Sequence, residues 1–324
     1  MSYYKKTAII VGFATMPMIA NALSYEVGVE LGNTNLNRNN LNWYVPYSTG
    51  GATSIGTGDF GDIEPSSDQR LTIDLGLDLG NNWTLSLRSS SVEFSESDAL
   101  TTNFEASATR VHANFDDVAD GDWDSGTAEY ELEETSIDVE LAYSLRFGAN
   151  GQGSFSPLFG FRTLSIEQAF DTLYNDTTST DGNTVTESIE SDGMGFFAGA
   201  EIVWQFNKLI GFEGRVEVGT LQVDTSRENI EYNSIGAAVP TLHTSVDDSF
   251  SESATTTAAS LGVSIQTYDN DKVNIVTHLG YEISTVNGLS DFINFPDDVV
   301  DSKTSRNLQS LGYDGIYLGL TGTF

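Results

Sequence analysis

The sequence predicts an all-β fold: a transmembrane antiparallel up-and-down β-barrel of about 10 strands, with long extracellular loops and short periplasmic turns. Three observations predict it. Apolar and polar residues alternate in segment after segment, while the 3.6-residue periodicity of amphipathic helices is nearly absent. Short and long connections alternate along the chain. The chain ends on Phe324, an aromatic residue that completes an alternating segment.

Ten segments carry the period-two pattern of strands with one apolar face. In the second of them Leu71, Ile73 and Leu75 share one face, and Thr72 and Asp74 lie between them. The ten are residues 25–32, 70–80, 83–89, 137–147, 155–168, 194–206, 210–218, 259–267, 272–283 and 315–324. An even number of strands with a long loop first brings both termini to the short-turn side, as in outer-membrane barrels.

The connections fall into two classes. Short ones at 81–82, 148–153, 207–209 and 269–271 hold Asn, Gly and Asp, which are typical of tight turns. Long ones at about 34–67, 95–130, 171–190, 225–252 and 287–305 are rich in Asp, Ser, Thr, Asn and Gly, as surface loops are. Whether the 95–130 segment folds into the barrel as a plug is left open by its sequence.

A water-soluble antiparallel β-sandwich is the alternative, because it also alternates but buries its apolar face. The polar face here carries Gly together with Glu, Asp and Arg at nearly every strand, as a polar lumen would. Aromatic residues gather beside the short turns, where a periplasmic girdle belongs: Trp83, Phe147, Trp204, Phe206 and Phe324. All long connections also fall at one end, which favours the barrel.

The N-terminus has the order of a secretory signal. Lys5 and Lys6 precede an apolar run over 7–20, and Ala20-Asn21-Ala22 supplies small residues for cleavage. We therefore expect a signal peptide over residues 1–22, cleaved after Ala22, and a single barrel domain over 23–324. A buried N-terminal helix is the alternative. No later run is long and apolar enough for a transmembrane helix, so an exported chain of this kind enters a membrane as a barrel.

Charge and composition exclude several classes of function. The chain has 14 Lys+Arg against 47 Asp+Glu, a net charge of −33, which argues against nucleic-acid binding. It has no cysteine, so disulfides and thiolate sites are excluded. Its 3 histidines are far apart in sequence, which argues against a His-rich metal centre.

The polar strand faces give a predicted set of lumen-lining residues with eight acids and four arginines: Asp74, Asp78, Arg88, Asp138, Glu140, Arg146, Arg162, Glu201, Glu213, Arg215, Glu217 and Glu282. Charges inside a barrel must be hydrated or paired. Two interpretations follow. The set forms structural ion pairs that nearly block the bore, or it lines a narrow, acid-rich path that favours cations.

One loop segment resembles a calcium-binding loop. Asp120, Asp122, Asp124 and Glu131 fit positions 1, 3, 5 and 12 of an EF-hand loop, but Ser125 replaces the expected glycine and flanking helices are not evident. An acidic, solvated loop is the alternative. We expect no cofactor apart from calcium at this loop.

Sequence motifs of catalysis are missing, so we predict that the protein is not an enzyme: there is no nucleophile elbow, phosphate loop or HExxH. His112 is near Asp116 and Asp117, and His243 is near Asp247 and Asp248, but such proximity is expected by chance in a chain this acidic. A different class is a surface protein whose long loops bind a host cell, a phage or a neighbouring cell.

Five stretches in order resemble the Legionella-type major outer-membrane protein family: "IDVELAYSLRFG", "FSPLFGFRTLSIEQ", "SDGMGFFAGAEIVWQF", "NIVTHLGYEIST" and "LGYDGIYLGLTGTF". They cover mainly residues 136–324, and the first third of the chain matches only as a barrel. The resemblance implies a pore-forming barrel in the outer membrane that lets small solutes cross, and it implies no catalytic residue.

The function predicted from these observations is a porin-like outer-membrane pore for small solutes or ions, with a lean toward cations. The alternative is a surface-exposed structural or adhesin barrel whose lumen is blocked by ion pairs and loops. The expected partners are outer-membrane lipid and lipopolysaccharide, the barrel-assembly machinery, and small solutes or ions. The oligomeric state stays open. The last strand, with Ile316, Leu318, Leu320 and Phe324 toward lipid, is the predicted assembly signal.

Overall fold

The computed structural model describes residues 24–38, 41–46, 61–63, 66–101, 104–106, 123–148, 151–176, 181–234, 239–270, 272–292 and 307–324. In chain order the strands are β1 (Tyr25–Asn37), β2 (Asn42–Pro46), β3 (Gly61–Asp62), β4 (Asp68–Gly80), β5 (Trp83–Leu100), β6 (Phe104–Ala106), β7 (Ser125–Tyr143), β8 (Leu145–Phe147), β9 (Gly153–Asp176), β10 (Asp181–Gln205), β11 (Ile210–Ser234), β12 (Thr241–Asp269), β13 (Asn274–Ser290) and β14 (Leu308–Thr323). Within these ranges no helix is long and apolar enough to cross a membrane. The signal peptide predicted over 1–22 lies outside the described residues.

Ten antiparallel strands close into one barrel, which confirms the predicted fold class. The ring runs β10-β11-β12-β13-β14-β1-β4-β5-β7-β9 and closes where β9 pairs with β10. The last strand, β14, pairs with both β13 and the first strand, β1. Short β8 follows β7 and pairs with β9, while β2, β3 and β6 form a separate small sheet. The hydrogen-bonded ring leaves no open sheet edge, as a membrane-spanning sheet requires.

The tight turns lie where the sequence predicts them. Asn81 and Asn82 join β4 to β5 with φ of 54° and 69°. Positive φ at both central residues is the mark of the type I′ hairpin turn, which asparagine tolerates well. Gly148 and Gly151, with φ of 82° and 70°, fall in the connection that precedes β9.

Two of the predicted long loops are wrong over most of their length. The 171–190 segment is strand on both sides of residues 177–180, and the 225–252 segment is strand on both sides of residues 235–240. Strands β9 to β12 have 24, 25, 25 and 29 residues, more than twice the roughly 9–11 needed to cross a bilayer. Their polar extracellular parts continue the barrel wall above the membrane.

The apolar face of the wall changes sides along each long strand. In β7 the outward-facing Ile137 and Val139 are 41% and 45% exposed, as lipid-facing residues are. Further toward the extracellular end of the same strand the inward-facing Tyr130 and Leu132 are 0% and 1% exposed. Lipid surrounds the lower part and water the upper part, so the apolar side chains face out below and in above.

Candidate functional site: the barrel lumen

Ten of the twelve predicted lumen residues line one cavity in the lower barrel: Asp74, Arg88, Asp138, Glu140, Arg162, Glu201, Glu213, Arg215, Glu217 and Glu282. The other two lie at the short-turn end. Asp78 is exposed and accepts a hydrogen bond from the Gly80 backbone at 2.8 Å, and Arg146 is exposed on β8.

The lumen cavity has a volume of about 540 Å³. It extends from Glu26, Gln205 and Thr323 near the short turns to Val286 and Tyr313 higher in the barrel. Its described lining includes ten carboxylates, four arginines and one histidine. The six carboxylates in excess of arginines give the lower lumen a negative potential, because a low-dielectric wall focuses the field of such charges.

Three arginines converge on the carboxylate of Glu217 in β11. Arg215 Nε lies 2.5 Å from Glu217 Oε1 and Arg162 Nη2 lies 2.9 Å from Oε2. Arg88 Nη1 approaches Oε1 at 3.9 Å. The Glu217 side chain is only 5% exposed, so these contacts are poorly screened by water. We call Glu217 and these three arginines the cross-lumen bridge.

Each arginine of the bridge also has its own carboxylate. Arg88 Nε lies 2.7 Å from Asp74 on the adjacent strand β4. Arg162 holds Asp138 on adjacent β7 with two hydrogen bonds of 2.7 and 2.6 Å. The guanidinium of Arg215 contacts Glu140 of β7. Bidentate geometry and short charged bonds make these pairs strong. The first two join adjacent strands, whereas the third reaches from β11 to β7.

Two further polar groups complete the lumen. His278 Nδ1 of β13 lies 2.8 Å from Glu213 Oε2 of β11, and the Tyr317 hydroxyl of β14 donates to Glu213 at 3.4 Å. Arg70 of β4 lies 3.0 Å from Glu282 of β13 and 3.9 Å from Glu134 of β7. Both groups connect strands that are not neighbours in the ring, so they link parts of the wall that backbone hydrogen bonds do not join.

Above the cavity the lumen is filled by packed apolar side chains, which we call the extracellular core. It comprises Leu36, Leu41, Ile63, Val92, Phe94, Trp123, Ala128, Tyr130, Leu132, Leu164, Ile166, Phe170, Tyr174, Val185, Ile189, Leu221, Val223, Ala254, Val286, Leu289, Phe292, Leu311 and Tyr313. All are at most 6% exposed. Trp123 lies just before β7, in the 95–130 segment whose place as a plug the sequence left open, and packs in this core against Tyr174 with ring centroids 5.9 Å apart.

A short segment at the end of β13 is held inside the barrel, and we call Ser290, Asp291 and Phe292 the inner strap. Asp291 Oδ1 lies 2.9 Å from Arg38 Nη2, and its backbone oxygen accepts a hydrogen bond of 3.1 Å from Arg227. The Arg38 guanidinium also lies 4.6 Å from the centre of the Phe292 ring. Both arginine side chains are 0% exposed, so the strap is fixed by fully desolvated charges.

Several residues of the lumen lie outside the predicted set. The cavity is also lined by Glu26, Glu30, Arg70, Glu134, His278 and Tyr317. Of these, Glu26, Glu30 and Tyr317 do lie on the polar face of the predicted strands. Arg38 and Arg227 were missed because they lie in predicted loops. The extracellular core was missed although its signal is in the sequence: apolar residues change from even to odd positions within residues 130–141. The point at which the apolar residues change from one face to the other marks the upper edge of the membrane. The strand above that point has the composition of a loop.

Of the four predicted calcium ligands, the two that the structure describes lie too far apart to share one ion. Asp120 and Asp122 lie outside the described residues. Asp124 precedes β7, and Glu131 lies within this extended strand on its exposed face. Seven residues of strand span about 23 Å, so one ion cannot contact both carboxylates. Over the described ranges no group of three or more His, Cys, Asp or Glu side chains is arranged to hold a metal ion.

Two histidines with acids nearby in sequence were candidates for catalysis. His112, Asp116 and Asp117 lie outside the described residues. Asp248 points into the barrel and lies 3.0 Å from Arg227, while Asp247 pairs in register with Glu228 on the exposed face. The two acids near His243 therefore point to opposite sides of β12.

The chain has relatives among known outer-membrane proteins. A family model described as Legionella pneumophila major outer membrane protein precursor matches residues 70–324. No curated protein sequence matches. Among solved structures, the chain is similar to the outer membrane protease OmpT from Escherichia coli, at 11% identity, 96% of this chain, 99% of that chain and a TM-score of 0.45. It is also similar to a major outer membrane protein from Thermus thermophilus, at 13% identity, 94% of this chain, 100% of that chain and a TM-score of 0.31.

Proposed function

Because the chain belongs to the family of the Legionella pneumophila major outer membrane protein precursor, we propose that this outer-membrane barrel is a narrow pore for small cations. In this proposal the acidic cavity selects the charge of the solute, and the extracellular core is the gate. Outer-membrane lipid, lipopolysaccharide and the barrel-assembly machinery are its proposed partners.

The excess of acid in the cavity is the observation that carries the proposal. Ten carboxylates and four arginines line the cavity, within the part of the barrel whose outer face is apolar. Carboxylates placed around a narrow path favour cations, as they do in cation channels. Small anions entering the same cavity meet six more carboxyl groups than arginines.

The packing of the extracellular core supports the proposal that it is a gate in its closed state. An apolar constriction excludes water, and ions cannot pass a segment that water does not wet. Side chains such as Phe94, Leu132 and Ile166 are 1% exposed inside the wall. Passage of ions therefore requires this core to open, and wetting the core should promote opening.

Planar bilayers test this proposal. We expect small discrete conductance steps and a reversal potential in asymmetric KCl that has the sign for K⁺ passage. The variant Ile166→Thr places a hydroxyl inside the core and shortens the side chain, so it should raise the fraction of time spent open. Leu173→Thr, on the outward face of the same strand and 38% exposed, is the control. If neither the natural protein nor Ile166→Thr conducts in the bilayer, the proposal of a pore is overturned.

A second candidate is a surface-exposed structural or adhesin barrel. The packed extracellular core and the inner strap favour it, because they block the lumen without any further change. Limited proteolysis of the extracellular connections separates the two. An adhesin loses cell attachment when the loops are removed, whereas a pore keeps or gains conductance.

We also propose that the protein is not an enzyme. Asp247 and Asp248 point to opposite faces of β12 and so do not form a pair of acids beside His243, and His278 is engaged with Glu213 in the lumen. Incubation of the purified barrel with a fluorescent casein substrate should release no more fluorescence than a heat-denatured sample.

A further inference from the structure

We propose that Glu217 sets the width of the pore, because it draws Arg88, four strands away in the ten-strand ring, and Arg162, two strands away, into the lumen. This inference rests on the proposed pore function and names the residue that controls conductance. The same residue also offsets the positive charge of the three arginines in the path of a cation.

The contact between Arg88 and Glu217 crosses the barrel. Arg88 lies on β5 and Glu217 on β11, with β7, β9 and β10 between them in the ring. Their side chains nevertheless approach to 3.9 Å. Arg162, on β9, reaches the same carboxylate at 2.9 Å. The bridge therefore occupies the lumen itself and does not merely brace one part of the wall.

Three guanidinium groups around one point repel one another unless a carboxylate lies between them. Glu217 supplies that carboxylate and is 5% exposed. Without it Arg88 and Arg162 each keep a partner on the adjacent strand, Asp74 and Asp138, while Arg215 keeps Glu140 of β7 and Glu201 of adjacent β10. Loss of Glu217 should therefore let Arg88 and Arg162 withdraw toward their own parts of the wall, because each of them stays paired there.

A matched pair of variants separates this role from the loss of a charge. Glu217→Gln and Glu201→Gln each remove one carboxylate from the same cavity. Glu201 is 39% exposed and pairs in register with Arg215 on the adjacent strand, so its contact of 3.8 Å with Arg215 runs along the wall and does not cross the lumen. Single-channel conductance and reversal potential are measured for the natural protein and both variants in planar bilayers, after gels of unheated samples show that each is folded.

We expect Glu217→Gln to raise the single-channel conductance about twofold, because a narrow pore is limited by its constriction. Glu201→Gln should weaken cation preference and leave the conductance unchanged. Equal conductance of the two variants would overturn the role of Glu217 while leaving the pore in place. If Glu217→Gln does not fold, Glu217→Asp replaces it, because it keeps the charge but shortens the reach to the arginines. If none of these variants conducts, and Ile166→Thr does not conduct either, both the role of Glu217 and the proposal of a pore are overturned.

Discussion

Tyr25 and Phe324, at the first and last strands of the barrel, stack with ring centroids 5.2 Å apart and planes inclined by 16°. Their backbones exchange two hydrogen bonds, Tyr25 N to Phe324 O at 3.2 Å and Phe324 N to Tyr25 O at 2.9 Å. The two ends of the described chain thus complete the pairing of β1 with β14. The aromatic C-terminus is part of the closure of the barrel.

Deletion of Phe324 tests its role in assembly. The residue ends both the predicted assembly signal and the β1–β14 closure. Its loss should therefore reduce the amount of assembled barrel to less than about half of that of the natural protein. The measurement is the heat-shifted folded band from outer-membrane fractions. Tyr25→Ala is the control, since it removes the stacking and leaves the C-terminus intact. Normal assembly without Phe324 would refute the signal.

Asp314 links three strands where the barrel closes, and the stability that it gives to the folded barrel should depend on pH. Tyr281 donates to it at 2.5 Å and Asn37 at 2.6 Å, and with Asn35 these bonds hold the pKa of Asp314 below its ordinary value. A depressed carboxylate pKa stabilises the fold above the unfolded value, near pH 4, and the stabilisation is lost as pH falls through the folded value.

We therefore expect Asp314→Asn to lower the unfolding temperature by about 2 °C at pH 7, since the site is exposed and weakened by solvent. At a pH well below 4 the difference between the variant and the natural protein should disappear. A difference that is constant from pH 7 to pH 2 would rule out the carboxylate as its cause.

Four glutamates face each other across adjacent strands above the membrane. Glu93 pairs in register with Glu133, Glu133 with Glu167, and Glu167 with Glu190. Burial, followed by the charges of Glu190 and Glu133, raises the pKa of Glu167. Like charges in direct register destabilise a sheet. Repulsion within this row of glutamates therefore lowers the stability of the extracellular wall.

Glu167→Gln should stabilise the barrel by about 0.5 kcal/mol at pH 7 and low salt, because it removes two repulsive pairs on a solvated face. A raised carboxylate pKa means that the folded state takes up protons first, so the natural protein should gain stability as pH falls through the folded value. Thermal unfolding at low and high NaCl checks this. A gain that persists at 1 M NaCl would show that repulsion is not its cause.

The inner strap should depend on Arg38. Its guanidinium lies 2.9 Å from Asp291 and 2.8 Å from the Tyr130 hydroxyl, and it is fully buried. Arg38→Met keeps much of the length and loses the charge, so the strap should open and the amides of residues 290–292 should exchange at least about tenfold faster. Hydrogen exchange with mass spectrometry measures this. Arg146→Met, at an exposed site, should leave these amides unchanged, and equal protection in Arg38→Met would contradict the role.

Local patterns predicted most of the barrel wall. The odd-position residues Ile137, Val139 and Leu141 indicated a lipid-facing strand, and the asparagine pair at 81–82 indicated the turn. The same patterns placed Glu217 and Arg162 in the lumen, because a strand puts alternate residues on opposite faces. Loop composition misled at 171–190 and 225–252, since strands that stand in water on their outer face carry the same Ser, Thr, Asn and Asp as loops do.

The ten-strand antiparallel wall, its apolar band and the acidic character of its lumen all follow from patterns in the sequence. The convergence of Arg88, Arg162 and Arg215 on Glu217, and the position of Arg38 and Phe292 inside the barrel, emerged only once the strands were placed in three dimensions. The physical reason is one of range. Alternation and turn chemistry act between residues that are close in sequence. Contacts across a lumen depend on the position and register that each strand takes when the sheet closes into a barrel.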